Sequence, residues 1–272
     1  MRVDLREAML DLYDLSALDS ALAGTVFANK LHFSPLTDST NSDALEAARN
    51  GAPRGSVYFA DEQLAGRGRG DHVWHSAAGV GLYASVLLRS PIPAIRLPLL
   101  PLAAGLAAAE AIRAAAGLTI DLRWPNDLLI GPRKVGGILA ESKISGGTAD
   151  YAVVGIGINV HQRAFDSNLS TPATSLNLEA GRRVSRQDLL LSLLKSLESE
   201  AHHLADPAAA IMIPARVEQA STWIRGRRVE VHGPQACTGV TAGLDEYGFL
   251  LVHTNSGVIT VQTGGIRATE IS

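Results

Sequence analysis

Three stretches of this 272-residue chain combine residue types and spacings that could do chemistry. In Gln63-Leu64-Ala65-Gly66-Arg67-Gly68-Arg69-Gly70, glycines on alternate positions let backbone N–H groups approach a ligand, and the two arginines between them add fixed positive charge. Guanidinium groups bind phosphate or carboxylate bidentately, so the stretch suits an anion. The same composition also describes a flexible surface loop or a short RNA-binding element, and this stretch alone leaves those readings open. In the second stretch, Arg123-Trp124-Pro125-Asn126-Asp127 closes one expected strand and Lys134-Val135-Gly136-Gly137-Ile138-Leu139-Ala140-Glu141 opens the next. Pro125 cannot donate into a ladder, so the chain turns there, and Asn126 and Asp127 suit a turn for local reasons. Lys134 could aim its ammonium at the open end of the sheet as a point charge for a phosphate or carboxylate, although a solvated lysine is the default for such a residue on its own. The third stretch, Gly155-Ile156-Gly157-Ile158-Asn159-Val160, is an apolar strand with two glycines on one face. Glycine weakens a strand unless something must come close, which points to a flat ligand on the sheet or to a bulge.

Other matches fail on context. No G-x-x-x-x-G-K-[ST] phosphate loop is present, and Gly79-Val80-Gly81-Leu82-Tyr83-Ala84 leads into a strand where a dinucleotide fingerprint must open a helix. His72 and His75 flank Trp74, and His202-His203 lie on an expected helix, all without cysteine or clustered acids, so no metal site is predicted. The single cysteine, Cys237, excludes an intrachain disulfide and fits a reducing compartment.

The elements that position these stretches can be read from caps and periodicity. Leu12, Leu15, Leu18 and Leu22 stand at helical spacing near the N-terminus, and Asp38-Ser39-Thr40-Asn41 should start a helix that stops near Asn50-Gly51. Strands are predicted over 56–60, 81–89, 119–123, 135–141 and 151–159. An Ala/Leu-rich helix is predicted over 99–116, ended by Gly117, and a second long helix over 185–204, with Ser185 and Asp188 as a capping pair. Beyond Trp223 the texture changes to four or five short strands with turn clusters between them, as in a small closed barrel. The boundary is drawn near Gly226. A net charge of −3, from 24 Lys+Arg and 27 Asp+Glu, disfavours bulk nucleic-acid binding. The N-terminus lacks a signal-peptide pattern, and the apolar run 97–109, interrupted by Pro98 and Pro101, is too short to span a bilayer, which predicts a cytoplasmic protein with no membrane partner.

Taken together and in order, Ser39-Thr40-Asn41, Gln63-x-Ala65-Gly66-Arg67-Gly68-Arg69, Trp74, Trp124-Pro125-Asn126-Asp127, Lys134-x-Gly136-Gly137-Ile138-Leu139 and Gly155-x-Gly157-x-Asn159 resemble a bacterial biotin protein ligase. The resemblance runs from about residue 35 to the C-terminus. It implies an α+β fold: an N-terminal helical segment (1–34), a class II synthetase-like catalytic domain (35–225) whose mixed central sheet is flanked by helices, and an SH3-like barrel (226–272). It also implies two steps, in which biotin and ATP give biotinyl-5′-AMP and pyrophosphate, and a lysine of a biotin carboxyl carrier protein then takes the biotinyl group. On this resemblance Ser39, Thr40, Asn41 and Gln63 serve the ureido side of biotin, Arg67 and Gly68 line the same pocket, and Trp74 covers the ligand. Gly137, Gly155 and Gly157 leave room for the fused rings, while Asn126, Asp127 and Asn159 serve the nucleotide. Arg67, Arg69, Lys134 and a Mg²⁺ on the phosphates neutralise the reacting anions, and Asp127 is the candidate base for the acceptor lysine. A Gly/Arg loop that orders over the adenylate would keep water out.

This sequence departs from the family pattern at Gly70-Asp71-His72-Val73, and at Arg123, where a lysine is common. The segment ahead of Ser39 is too short for a DNA-binding winged helix, so no operator binding is expected, while an open sheet edge could pair into a homodimer. A lipoate ligase and a non-enzymatic RNA-binding module are the competing readings. Pyrophosphate exchange driven by each acid separates the first, and salt-dependent RNA affinity the second.

Overall fold

Helices form here where an apolar face, a cap and a stop coincide in the sequence. The computed structural model describes residues 13–70 and 72–269; Leu12 of the expected N-terminal helix and Asp71 of the Gly/Arg stretch lie outside the described residues. Helix α1 (Leu15–Ala21) is capped by the Asp14 carboxylate, which accepts from Ala17 N, and it buries Leu18. Strand β1 (Leu31–Thr37), helix α2 (Thr40–Arg49), strand β2 (Val57–Gln63) and strand β3 (Gly81–Leu88) follow. Helix α3 (Leu99–Ala116) runs through Pro101. A proline in the first helical turn removes an N–H that has no intrahelical partner, so it does not stop the helix. Gly117, at φ 73°, ends it in the left-handed conformation that glycine adopts without a Cβ clash. By length and composition alone α3 could cross a membrane, but 61% of it is buried inside the protein, as a core helix.

Strands β4 (Asp121–Arg123), β5 (Asp127–Ile130), β6 (Arg133–Ser145) and β7 (Thr148–Asn159) complete the first sheet. Helices α4 (Leu176–Ala180), α5 (Arg186–Ala205), α6 (Pro207–Ala210) and α7 (Ile213–Gln219) come after it. The strand order is β1-β2-β3-β7-β6-β5-β4. Only β1 and β2 are parallel; the remaining neighbours are antiparallel. One face of this mixed sheet buries Leu82, Ala84 and Val86 of β3 and Val154, Ile156 and Ile158 of β7 in a core shared with α3 and α5. The opposite face divides in two along the strands. At one end Leu87 and Val153, directly paired, pack with Tyr151 under Ala44 and Ala48 of α2. Further along, the same face carries Ser85 opposite Gly155 and Tyr83 opposite Gly157, where the first residues of α2, Thr40 and Asn41, reach Ser85. Period-two alternation thus turns one sheet into a packing surface and an open floor.

The C-terminal strands are β8 (Arg225–His232), β9 (Cys237–Leu244), β10 (Leu250–Thr254), β11 (Gly257–Val261) and β12 (Gly265–Ala268). They form an antiparallel sheet ordered β11-β10-β9-β8-β12. Here one expectation is corrected: β11 and β12 stand at opposite edges, so this SH3-like unit is an open five-stranded sheet and not a closed barrel. Its Val229, Val231, Leu250, Val252, Val261 and Ile266 join the same core cluster as α3, and Trp124 Nε1 donates to Gly248 O at 3.0 Å. Both sheets therefore rest on one continuous apolar core.

Candidate active site

A cavity of about 840 Å³ opens over that part of the first sheet. Every residue to which the resemblance gives a binding or catalytic role borders it: Ser39, Thr40 and Asn41 from the start of α2, Gln63 from the end of β2, and Arg67, Gly68, Arg69 and Trp74 from the following hairpin. Asn126 and Asp127 border it from the β4–β5 turn, Lys134 and Gly137 from β6, and Gly155, Gly157 and Asn159 from β7.

The floor is set by glycine. Gly137 and Gly157 are direct cross-strand partners, and the indole of Trp74 lies on the pair. A Cβ on Gly157 would come within 2.5 Å of Trp74 Nε1, and one on Gly137 within 3.6 Å of its six-membered ring. A Cβ on Gly155 would come within 2.0 Å of Asn41 Oδ1. Flat groups do lie against the sheet, as the alternating glycines imply, but they belong to the protein itself. The room expected for a ligand's fused rings directly over these glycines is filled by Trp74 and Asn41. Among the described residues, the buried Trp74 Nε1 has no hydrogen-bond partner.

A continuous row of polar groups borders this floor. Gln63 Oε1 accepts from Thr40 N at 2.9 Å, and Gln63 Nε2 donates to Ser76 Oγ at 2.7 Å. Thr40 Oγ1 lies 2.8 Å from Ser85 Oγ. Ser85 donates to Asn41 Oδ1 at 2.6 Å, and Asn41 Nδ2 donates to Glu141 at 2.8 Å. Ser39 holds the N-cap position of α2 without a side-chain capping bond. Glu141 also ion-pairs with Arg67. Arg67 thus stands at the rim with Glu141 as its partner. Two bonds brace the hairpin itself, Gly68 N to His72 O at 2.7 Å and Trp74 N to Gly66 O at 2.8 Å.

The positive pole lies deeper. Lys134 Nζ is 2.5 Å from Asp127 Oδ1 and 5.6 Å from the centre of the Trp74 ring. Arg123 donates to Asp127 Oδ2 through Nε at 3.0 Å and through Nη2 at 2.6 Å. Burial pushes the Asp127 carboxyl up, but the Lys134 and Arg123 charges and hydrogen bonds outweigh it and hold the group below the ordinary carboxylate range. The carboxylate is therefore held ionised between its two cations. Burial lowers the Arg69 guanidinium from its usual value, with the Asp127 charge opposing; a guanidinium remains charged throughout the neutral range. Asn126 and Asn159 are engaged within the protein. Asn126 Nδ2 donates to Ile138 O at 2.7 Å. Asn159 donates to Thr174 O at 3.1 Å and accepts from Gln162 at 3.2 Å.

Two walls escaped the sequence reading. The segment after β7 contributes Gln162, Phe165, Leu169 and Thr171, and the C-terminal sheet contributes His232, Ile266 and Arg267. Neither carries a motif. Glu141 did leave a signal, because it shares with Gly137 and Leu139 the alternate positions of β6 that face the floor.

Residues 33–159 match the model of the Biotin/lipoate A/B protein ligase family. Among curated proteins, the bifunctional ligase/repressor BirA of Bacillus subtilis is 34% identical over 93% of this chain and 78% of its own length. The biotin–[acetyl-CoA-carboxylase] ligase of Mycobacterium tuberculosis is 34% identical over 85% of each chain. Among solved structures, biotin protein ligase from Aquifex aeolicus in complex with biotin and ATP aligns at TM-score 0.76 and 31% identity, over 89% of this chain and 100% of that one.

Proposed function

The chain belongs to the biotin/lipoate A/B protein ligase family, and from that premise we propose that it is an ATP-dependent biotin ligase acting on a biotin carboxyl carrier protein. In the first step a carboxylate oxygen of biotin attacks the α-phosphorus of ATP. The bond from that phosphorus to the bridging oxygen breaks, and pyrophosphate leaves biotinyl-5′-AMP behind. In the second step the neutral amine of a carrier lysine attacks the acyl carbon. AMP departs with the bonding pair, and the amine gives up its proton to form the amide.

The observation that carries this reading is one cavity holding both a slot walled by Trp74 and edged by hydrogen-bonding groups and a separate pole of cations, Arg69 and Lys134. Two anions brought together away from bulk water repel by several kcal/mol, and fixed positive charge aimed at their meeting point removes that penalty. In this reading Lys134 and Arg69 touch the reacting carboxylate and phosphate. Asp127 orients Lys134, and the row from Gln63 through Thr40 to Asn41 offers the donors and acceptors that a cyclic urea requires. Ser39 and Gly68 edge the same slot, and Trp74 walls it. Asn126 and Asn159 shape the nucleotide side through the segments they fasten.

Magnesium comes with the nucleotide. Among the described residues no three His, Cys, Asp or Glu side chains gather; Asp127 and Glu141 are paired with cations, and Asp166, the other carboxylate lining the cavity, accepts from Asn168 N. This donor set does not fit a resident metal, so no step is assigned to one. For the acceptor we infer the carrier subunit of acetyl-CoA carboxylase, the enzyme for which the Mycobacterium tuberculosis relative is named. A cytoplasmic setting, where ATP and that carrier meet, follows from the same reading.

Incubation with ATP, Mg²⁺, labelled biotin and a carrier domain is expected to label the carrier. Lys134→Ala should lower biotin-dependent pyrophosphate–ATP exchange by about a hundredfold while the protein stays folded. Exchange driven by lipoate in place of biotin, or exchange indifferent to Lys134→Ala, would overturn the reading.

A further inference from the structure

The cation pole rests on a residue that neither the motif reading nor the comparisons assign. Arg123, only 9% exposed, sits behind Asp127 and grips one carboxylate oxygen with two of its nitrogens, while the other oxygen takes Lys134. The same Nη2 donates to Thr171 Oγ1 at 3.0 Å. Thr171 belongs to the 160–175 segment that walls the cavity, and that segment is stitched to Lys134 itself: Lys134 N donates to Pro172 O at 2.8 Å, and Thr174 N to Lys134 O at 2.9 Å. The guanidinium carbon lies over the Trp223 ring, 5.2 Å from its centre.

We propose that Arg123 is a positioning residue for the activation step, clamping Asp127 and Thr171 together so that the Lys134 ammonium and the 160–175 wall are set in one geometry. The planar fork is what the arrangement needs. It engages a carboxylate edge-on and still has an N–H for a hydroxyl, whereas a lysine in this place would bring a point charge on a flexible stem. The inference rests on the ligase reading for the identity of the activation step, but the clamp itself is a statement about geometry. A merely structural ion pair would affect melting and nothing else. A clamp couples three quantities: turnover, nucleotide KM and exposure of the wall.

The test uses the intact protein with three variants, Arg123→Lys, Arg123→Gln and Thr171→Val. Each is followed by biotin-dependent pyrophosphate–ATP exchange and by trypsin cleavage after Arg163, an exposed site in the wall. Thr171→Val should raise the KM for ATP and the cleavage rate by about tenfold or more, the effect of losing one charge-assisted hydrogen bond, with kcat within about twofold. Arg123→Gln should also lower kcat by about tenfold or more, as misplaced catalytic groups do. Arg123→Lys should recover part of kcat without restoring KM or protection of the wall. The proposal falls if Arg123→Lys matches wild type in KM and cleavage, or if Arg123→Gln lowers only the melting temperature. Should Arg123→Gln fail to fold, the other two variants decide. Absence of biotin-dependent exchange in the wild type would reject the ligase reading, while cleavage at Arg163 would still judge the clamp.

Discussion

Asp127 illustrates how a charged residue can matter by restraining another. Its carboxylate is 15% exposed and stands between Lys134 and Arg123, so removing it leaves two cations without their shared partner. Asp127→Asn is expected to lose about 3 kcal/mol of stability near neutral pH, the scale of breaking a buried pair from one side. The sign of the pH dependence follows from the depressed carboxyl. The stabilising contribution is complete above the unfolded value near 4 and is lost as pH falls through the lower folded value. Urea unfolding of wild type and Asp127→Asn between neutral pH and about pH 2 should therefore converge toward the acid end; a constant gap would refute the assignment. At this scale the sequence was most informative about residue identity and least about partnership. Arg67 and Lys134 look alike in the string, as basic residues beside glycines. Only the fold gives Arg67 to Glu141 at the rim and Lys134 to Asp127 at the base, because those pairings join residues from different strands and loops.

Elements were legible where their signals were local. Helix α5 announces itself through Ser185, whose side chain accepts from Asp188 N at 3.1 Å; Ser185→Ala should cost about 1 kcal/mol in thermal or urea unfolding without altering ligand binding. Strand β1 was not predicted, since Leu31-His32-Phe33-Ser34-Pro35-Leu36-Thr37 mixes polar residues with a proline. It survives as an edge strand, where a proline's missing N–H can face away from the ladder. Strand β5 is only four residues long and hid inside what the sequence presents as a turn. The glycines of β7 are a subtler case. Their spacing signals close approach, but the approaching groups come from α2 and the 64–76 hairpin, far away in the chain. Gly155→Ala tests that contact, because its Cβ would overlap Asn41 Oδ1, an atom held in place by Ser85. The variant should lose about 2 kcal/mol, as overpacking does, and bind biotin more weakly by calorimetry. A variant with wild-type stability would mean that Asn41 yields freely.

Over the whole molecule, the two sheets act as one body because Trp124 and the neighbouring apolar residues bridge them. Trp124→Phe removes the donor to Gly248 O and part of a buried ring; the unpaired carbonyl and the void together should cost about 2 to 3 kcal/mol in a single cooperative urea transition. Two separate transitions would instead indicate sheets that unfold independently. The change of texture after Trp223 identified the second sheet, but not that its His232, Ile266 and Arg267 border the cavity. Such meetings between distant segments carry no local spacing signal. Strand order has a consequence of its own. Strand β7 is the last of its sheet in the chain and yet lies in the middle, between β3 and β6. During translation, the ribosome must release everything through Asn159 before that gap can be filled. Until then the nascent polypeptide carries two unpaired strand borders, the kind of intermediate that chaperones shelter from aggregation.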